Sequence, residues 1–312
     1  VVIKPAASTP YTATALVELA NRAGVPKGVI NLLSVSENNV ADVGDELCTN
    51  QDIRKISFTG STNVGKKLIA KSATTIKKVS MELGGHAPFI VFEDANLDEA
   101  VTGAMANKYR NSGQVCVSAN RIYVHKNIYD EFAKKLAEKS AALKVADGRE
   151  QGAQIGPLIT SAAIEKVVSH VTDAVEKGAK VLTGGAPDNA GKQFYKPTVL
   201  TDITNKMKIY YEETFGPVAP LISFNSEEEV IEMANDSKYG LAGYFYSRDI
   251  GKIWRVAEAL EYGMVGINAG VISTEVAPFG GIKESGIGRE GAAEGIDEYL
   301  ETKYLCMDGL NN

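Results

Sequence analysis

The 312 residues include only three cysteines, three histidines and one tryptophan, and no apolar run reaches membrane-spanning length. Cys48, Cys116 and Cys306 are too few and too far apart for a disulfide scaffold and fit a reducing, cytoplasmic setting. The histidines are dispersed, and neither HExxH nor CxxC spacing occurs, so no metal site is expected. Positive charge is not in excess: a net charge of −6 argues against nucleic acid or an anionic membrane as partner. An initiator methionine and a signal peptide are also missing. Val1-Val2-Ile3-Lys4-Pro5 reads as a buried strand already under way, which predicts further sequence upstream.

What remains is ordinary globular material, 44% hydrophobic and 23% charged, with the length of about two domains. Strand-like and helix-like patterns alternate throughout, predicting parallel α/β layers. A first strand at 1–4 leads through Thr9-Pro10, an N-cap followed by proline at the first helical position, into a helix ending at Gly24. Strands follow at 29–33 and 56–59, with a short helix ending near Cys48 between them. After Gly84-Gly85 a second series begins. It has strands at 88–92, 121–124, 195–200, 221–224, 241–246 and 264–268, and helices at 98–109, 129–143, 164–177, 227–235 and 250–261. A glycine-rich stretch over 279–291 interrupts the alternation, and 299–307 reads as an edge strand for another subunit.

Three segments could carry chemistry. Gly60-Ser61-Thr62 opens a helix directly after a strand, the geometry in which free N–H groups and the helix dipole receive a phosphate; it is equally a plain strand–helix connection. Cys116 lies in Ser112-Gly113-Gln114-Val115-Cys116-Val117-Ser118, small residues that keep the backbone tight around a thiol. A nucleophile needs such a turn so that an N–H can face the oxygen of the attacked carbonyl, while the alternative is a buried structural cysteine. Glu82, in Met81-Glu82-Leu83-Gly84-Gly85, leaves an apolar strand at a chain crossing. There it is either a desolvated general base with a raised pKa or a salt-bridged surface glutamate.

Taken together, these segments resemble the aldehyde dehydrogenase superfamily along essentially the whole chain. Ile3-Lys4-Pro5-Ala6 is similar to the strand whose lysine holds the adenosine ribose, and Phe58-Thr59-Gly60-Ser61-Thr62 to the pyrophosphate-facing turn. Met81-Glu82-Leu83-Gly84-Gly85 resembles the general-base signature, and Gly113-Gln114-Val115-Cys116 the nucleophile signature, at the family's usual separation. In Glu212-Glu213-Thr214-Phe215-Gly216-Pro217 the second glutamate is expected on the nicotinamide ribose and Phe215 against the nicotinamide. Pro278-Phe279-Gly280-Gly281 and Gly288-Arg289-Glu290 are similar to the C-terminal signatures, whose glutamate assists proton movement behind the base.

The resemblance therefore implies an aldehyde dehydrogenase-like α/β fold. The remainder of a Rossmann-type dinucleotide-binding domain occupies 1–84, a complete catalytic domain 85–285, and a C-terminal return segment with an oligomerisation strand 286–312. The expected catalytic residues are Cys116, Glu82 and Glu290, and the expected cofactor-binding residues are Lys4, Ala7, Gly60, Ser61, Leu83, Glu213 and Phe215. A homodimer or homotetramer is implied, with no nucleic-acid or membrane partner.

Two narrower expectations follow. Tyr109-Arg110-Asn111-Ser112-Gly113-Gln114 and Gly270-Val271-Ile272-Ser273 resemble succinate-semialdehyde dehydrogenases, where the arginine and the serine grip the substrate carboxylate. Arg110 can do this bidentately, or it can form an internal ion pair. Glutarate semialdehyde, or aldehydes at large, are the alternatives. NAD-preferring relatives commonly place glutamate three residues after the lysine; here Ala7 stands there, so nothing repels a 2′-phosphate and the cofactor is NADP or NAD, with a lean to NADP.

The chain also departs from the family. It has no Trp-Asn, the motif whose asparagine completes the oxyanion hole, and no hairpin to join a neighbouring subunit's tail strand. The loss of one such donor alone costs ~10²–10³ in turnover. The expectation is that this polypeptide by itself is poorly active, or serves as a non-catalytic binding protein. Acyl transfer to coenzyme A, a third activity within the family, is disfavoured by Glu82, which points to activated water. Val115 and Ser118 replace a threonine and a second cysteine of many semialdehyde relatives.

Overall fold

The computed structural model describes residues 1–309. The chain divides into two compact units, one comprising Val1–Ile56 with Lys66–Val79, the other Ser57–Gly65 with the chain from Ser80 onward. In the first, Val2–Ile3 and Asn31–Leu32 pair in parallel, linked through the helix Tyr11–Arg22. Pro10 is the N-cap of that helix rather than its first residue, because its carbonyl already accepts the Thr14 N–H at 3.1 Å. Gly24 stops the helix at φ +88°, with the Val25 N–H returning to the Ala20 carbonyl. The helix has no buried residue, and in the following helix, Val40–Thr49, only Cys48 is buried.

The second unit is built on a seven-stranded sheet. Its spatial order is Met264–Ile267, Ala242–Tyr246, Ala87–Val91, Ala119–His125, Val218–Phe224, Thr198–Thr201 and Lys180–Thr183. The first six run parallel, and only the edge strand Lys180–Thr183 is antiparallel. The central strands are continuous apolar runs because both faces are covered, as parallel sheets require. Alternation assigns the faces. Phe89, Val91, Ile122 and Val124 pack with the helices Leu97–Tyr109 and Tyr129–Ala141. Ile90, Phe92 and Tyr123 pack with Ser161–Glu176, Glu227–Asn235 and Ile250–Ala259.

Arg121 is fully buried, and its guanidinium donates to the carbonyls of His86, Met233 and Ala234 and to the hydroxyls of Tyr123 and Tyr262. A buried cation survives only when its donors are satisfied in this way.

Three expectations are corrected. The strand expected from Tyr195 starts only at Thr198, since Pro197 offers no N–H to a ladder. Lys180–Thr183 was not foreseen: three of its four residues are exposed, so it carries no burial pattern. The segment 299–307, expected to be strand-like, has no regular strand; the last three positions of the expected tail, 310–312, lie outside the described residues. No helix among the described residues is long and apolar enough to cross a membrane.

Candidate active site

Three adjacent parallel strands begin shortly after the segments that carry Glu82, Cys116 and Glu213. Glu82 precedes Ala87–Val91, Cys116 precedes Ala119–His125, and Glu213 precedes Val218–Phe224. The strand pairing thus brings residues from three distant stretches of sequence to one edge of the sheet. This edge carries the N-terminal ends of the strands, opposite to the carboxyl-end location usual in open α/β sheets.

Gly85 locks the first two loops together: a Cβ there would collide with the Cys116 carbonyl oxygen. Its N–H donates to Glu213 Oε1 at 3.1 Å, drawing in the third loop. The turn before Cys116 is backbone-strained. Asn111 and Ser112 adopt φ of +49° and +57°, and Gly113 follows at +75°, packed so closely on the Gly216 carbonyl that no side chain fits. Ser112 Oγ, exchanging hydrogen bonds with the Gly156 carbonyl and N–H at 2.9 and 3.1 Å, holds this shape. Phe215, at φ +56°, is strained in the same way.

The electrostatics separate these groups from ordinary surface residues. Glu82 is 6% exposed, and its Oε2 has no hydrogen-bond partner, so it is not a salt-bridged surface glutamate. Its pKa is pushed up to about 8 by burial and then by the Glu290 carboxylate, against a pull from Arg289. Cys116 is partly open where Cys48 is buried. Its thiol is pushed up to about 11 by burial, then by the carboxylates of Glu213 and Glu82, while its own N–H and that of Val117 favour the thiolate. Burial also raises Glu213, opposed by the Gly85 N–H, Lys166 and Lys108.

The C-terminal glycine-rich stretch braces the Glu82 segment. Phe279 and Glu290 exchange backbone hydrogen bonds at 2.7 Å, and Arg289 reaches the carbonyls of Gly281 and Gly288. Ser285, fully buried, donates from Oγ to the Gly84 carbonyl at 2.7 Å, while its own carbonyl accepts the Leu83 N–H.

The remaining expected residues fall in two groups. Gly60 and Ser61 sit at the start of the helix Thr62–Ser72, where the Gly60 N–H donates to the Glu82 carbonyl and Ser61 Oγ accepts from Val64 N–H. Leu83 packs on Gly65 of that helix so tightly that a Cβ there would clash. Arg110 is exposed, and its guanidinium makes no hydrogen bond or ion pair with any described residue. Ser273 is exposed on the loop after Met264–Ile267. Lys4 and Ala7 belong to the first unit, where the Lys4 ammonium donates to the Pro5 carbonyl; a shallow groove there is lined by Pro5, Ala6, Ala7, Pro10, Ser34 and Ser36.

Sequence reading passed over several supporting residues. His170, buried, bonds Thr214 Oγ1 and Glu212 Oε2, each at 3.2 Å, on either side of Glu213. Asn120 accepts the Thr214 N–H at 2.9 Å and donates to the Ser118 carbonyl. Lone polar residues inside apolar runs were the only signal they gave.

A strained thiol turn beside the buried carboxyl of Glu82 and the half-buried one of Glu213, on the N-terminal edge of a parallel sheet, defines the class of site. The chain belongs to the aldehyde dehydrogenase family: the family's profile matches residues 1–305. It is 56% identical over 309 residues to glutarate-semialdehyde dehydrogenase of Pseudomonas aeruginosa, covering 99% of this chain. It is also 56% identical, over 98% of the chain, to the NADP(+) succinate-semialdehyde dehydrogenase of Escherichia coli. A crystal structure of succinate-semialdehyde dehydrogenase from Burkholderia pseudomallei superposes with a TM-score of 0.96 at 58% identity over 98% of the chain. The chain spans 63% of the length of each of these relatives.

Proposed function

We propose that the protein oxidises an aldehyde bearing a distant carboxylate to the corresponding acid, with Cys116 as nucleophile, Glu82 as general base and NADP or NAD as hydride acceptor. The observation that carries this reading is the convergence of the Cys116 thiol with the unpartnered, buried Glu82 carboxyl. Relatives named for succinate and glutarate semialdehydes support it.

The Cys116 thiol, held neutral by its surroundings, passes its proton to the Glu82 carboxylate, which releases it by way of Glu290 to solvent, as sulfur adds to the aldehyde carbon. The carbonyl electron pair moves onto oxygen, and backbone N–H groups of the tight turn are the donors nearest the new charge. A bound nicotinamide ring supplies the acceptor for the hydride leaving that carbon. The acyl group then rests on Cys116 as a thioester. Glu82 takes a proton from water, the hydroxide adds to the acyl carbon, and the Cys116 thiolate leaves. Glu290, whose charge already raises the Glu82 pKa, passes that proton onward in this reading.

The residues fit a dinucleotide: the Gly60-Ser61 helix start suits a pyrophosphate, and the Glu213 carboxylate, steadied by Gly85, suits a ribose. Leu83 and Phe215 flank Glu82 and Glu213 in sequence, and Lys4 and Ala7 enter through the resemblance. The groove beside Ala7 contains no acidic residue, which favours NADP, as the name of the Escherichia coli relative does. Arg110, with Ser273, would hold the substrate carboxylate. All three cysteines are free, in keeping with a cytoplasmic protein, and a homodimer or homotetramer is the assembly the resemblance supports.

The direct test compares the protein with its Cys116→Ser and Glu82→Gln variants, assaying succinate semialdehyde, glutarate semialdehyde and an uncharged aldehyde with each nicotinamide cofactor. Loss of turnover in both variants is expected. Turnover that survives Cys116→Ser would remove the covalent mechanism.

A further inference from the structure

The helix Leu97–Tyr109 runs from the carboxyl-end edge of the sheet back to the edge where Cys116 lies. On its buried face Asn107, 5% exposed, uses both ends of its side-chain amide. Oδ1 accepts the Ala119 N–H at 2.6 Å, three residues beyond Cys116, and Nδ2 donates to the Gly270 carbonyl at 2.9 Å, three residues before Ser273. Since one contact needs an acceptor and the other a donor, only one orientation of the amide satisfies both.

The two segments joined in this way are otherwise well seated. Lys108 donates to the Ala119 carbonyl at 2.7 Å, and Tyr244 to the Val117 carbonyl at 2.8 Å, so the exit of the nucleophile turn is held at three points. One turn earlier on the helix, Gly103 lies flush against Gly270, where a Cβ would strike the Gly103 carbonyl. The loop carrying Ser273 therefore lies along this helix, tied to it by one side-chain hydrogen bond from the residue that also holds the thiol segment.

We infer that Asn107 is a positioning residue that sets the span between the Cys116 sulfur and the loop gripping the substrate carboxylate, and so selects the carbon-chain length of the substrate. This rests on the proposed carboxylate-bearing substrate.

The test reads Cys116 alone. Iodoacetamide alkylation of the Cys116 peptide is followed by mass spectrometry in the purified protein, with and without succinate or glutarate as a saturated dicarboxylate probe. The wild type is expected to be protected, more by one diacid than by the other. Asn107→Asp keeps the acceptor for Ala119 but sets an oxygen against the Gly270 carbonyl. It is expected to alkylate at about the wild-type rate without diacid, while protection weakens roughly tenfold and the preference between diacids is lost. Gly270→Ala, which lifts the same loop from Gly103 without touching Asn107, should reproduce this. Thermal melts establish that each variant is folded.

Wild-type protection and selectivity retained in both variants would overturn the inference. So would a parallel fall of the diacid-free alkylation rate, which marks a merely structural role. A wild type that neither diacid protects would instead refute the carboxylate-substrate reading, and the inference with it.

Discussion

The strand Ala87–Val91 has a carboxylic acid beyond each end, and the two are treated in opposite ways. Asp94, past its carboxyl end, accepts from Ser247 Oγ, the Arg248 and Asp249 N–H groups and the Lys252 ammonium. Burial alone would raise its pKa, but Lys252 and these donors hold it well below the usual carboxylate range. Glu82, before the amino end, is also withdrawn from water, yet it is left with an empty oxygen and a neighbouring like charge. Asp94 is a charged and satisfied fastening. Glu82 is held near neutrality, as the proposed proton carrier would be. Burial is common to both, and the number of donors decides the role.

Exchanging carboxyl for amide at each end should break this symmetry. The largest effect is expected from Glu82→Gln: turnover falls by ~10²–10⁴, the usual worth of a general base, in a variant that still folds. A thioester that accumulates in the variant, detected by intact mass, would sharpen the assignment to the hydrolytic step.

Next in size is Arg110→Ala. It removes a charge-assisted grip worth ~1.5–3 kcal/mol and should cut kcat/KM for carboxylated aldehydes roughly ten- to a hundredfold, while uncharged aldehydes react as before. Equal losses for both substrate classes would cancel the role of Arg110.

Asp94→Asn should leave Cys116 alkylation unaltered but lower unfolding stability by ~1–3 kcal/mol, measured by denaturant titration, because Lys252 then lacks its counter-charge.

A last effect is a pH dependence. The Glu82 pKa is near 4.5 in the unfolded chain and about 8 in the fold, so between those values the folded state holds the extra proton. Stability should therefore fall as pH rises through this window and level off above it. Melting curves of wild type and Glu82→Gln should diverge with rising pH, the variant becoming relatively more stable. Parallel curves from pH 5 to 9 would show that burial does not raise this carboxyl.

The sequence made the central strands legible because a parallel sheet buried on both faces needs uninterrupted apolar runs, as at Ala87–Val91 and Ala119–His125. It was silent where burial was absent, as in Lys180–Thr183, and misleading at 299–307, where a strand pattern forms no regular strand. Cys116, Glu82 and Glu213 were visible as motifs. What brings them together was not: Gly85, Asn107, Asn120, His170 and Ser285 act through contacts between segments remote in sequence, which no local spacing encodes. The freedom of Arg110 was likewise undecidable until its surroundings were seen.

Gly85 also bears on how this site tolerates variation. Its backbone angles suit any residue, unlike those of Gly113, so what forbids a side chain is the Cys116 carbonyl in the space a Cβ would fill. A saturation library at codon 85, selected for activity, should return glycine alone, and no compensating change at a distance should rescue even alanine. At codon 84 the nearest atoms stand at 3.1–3.4 Å and include the Glu213 carboxylate, so alanine should survive there as a weakened but recoverable allele.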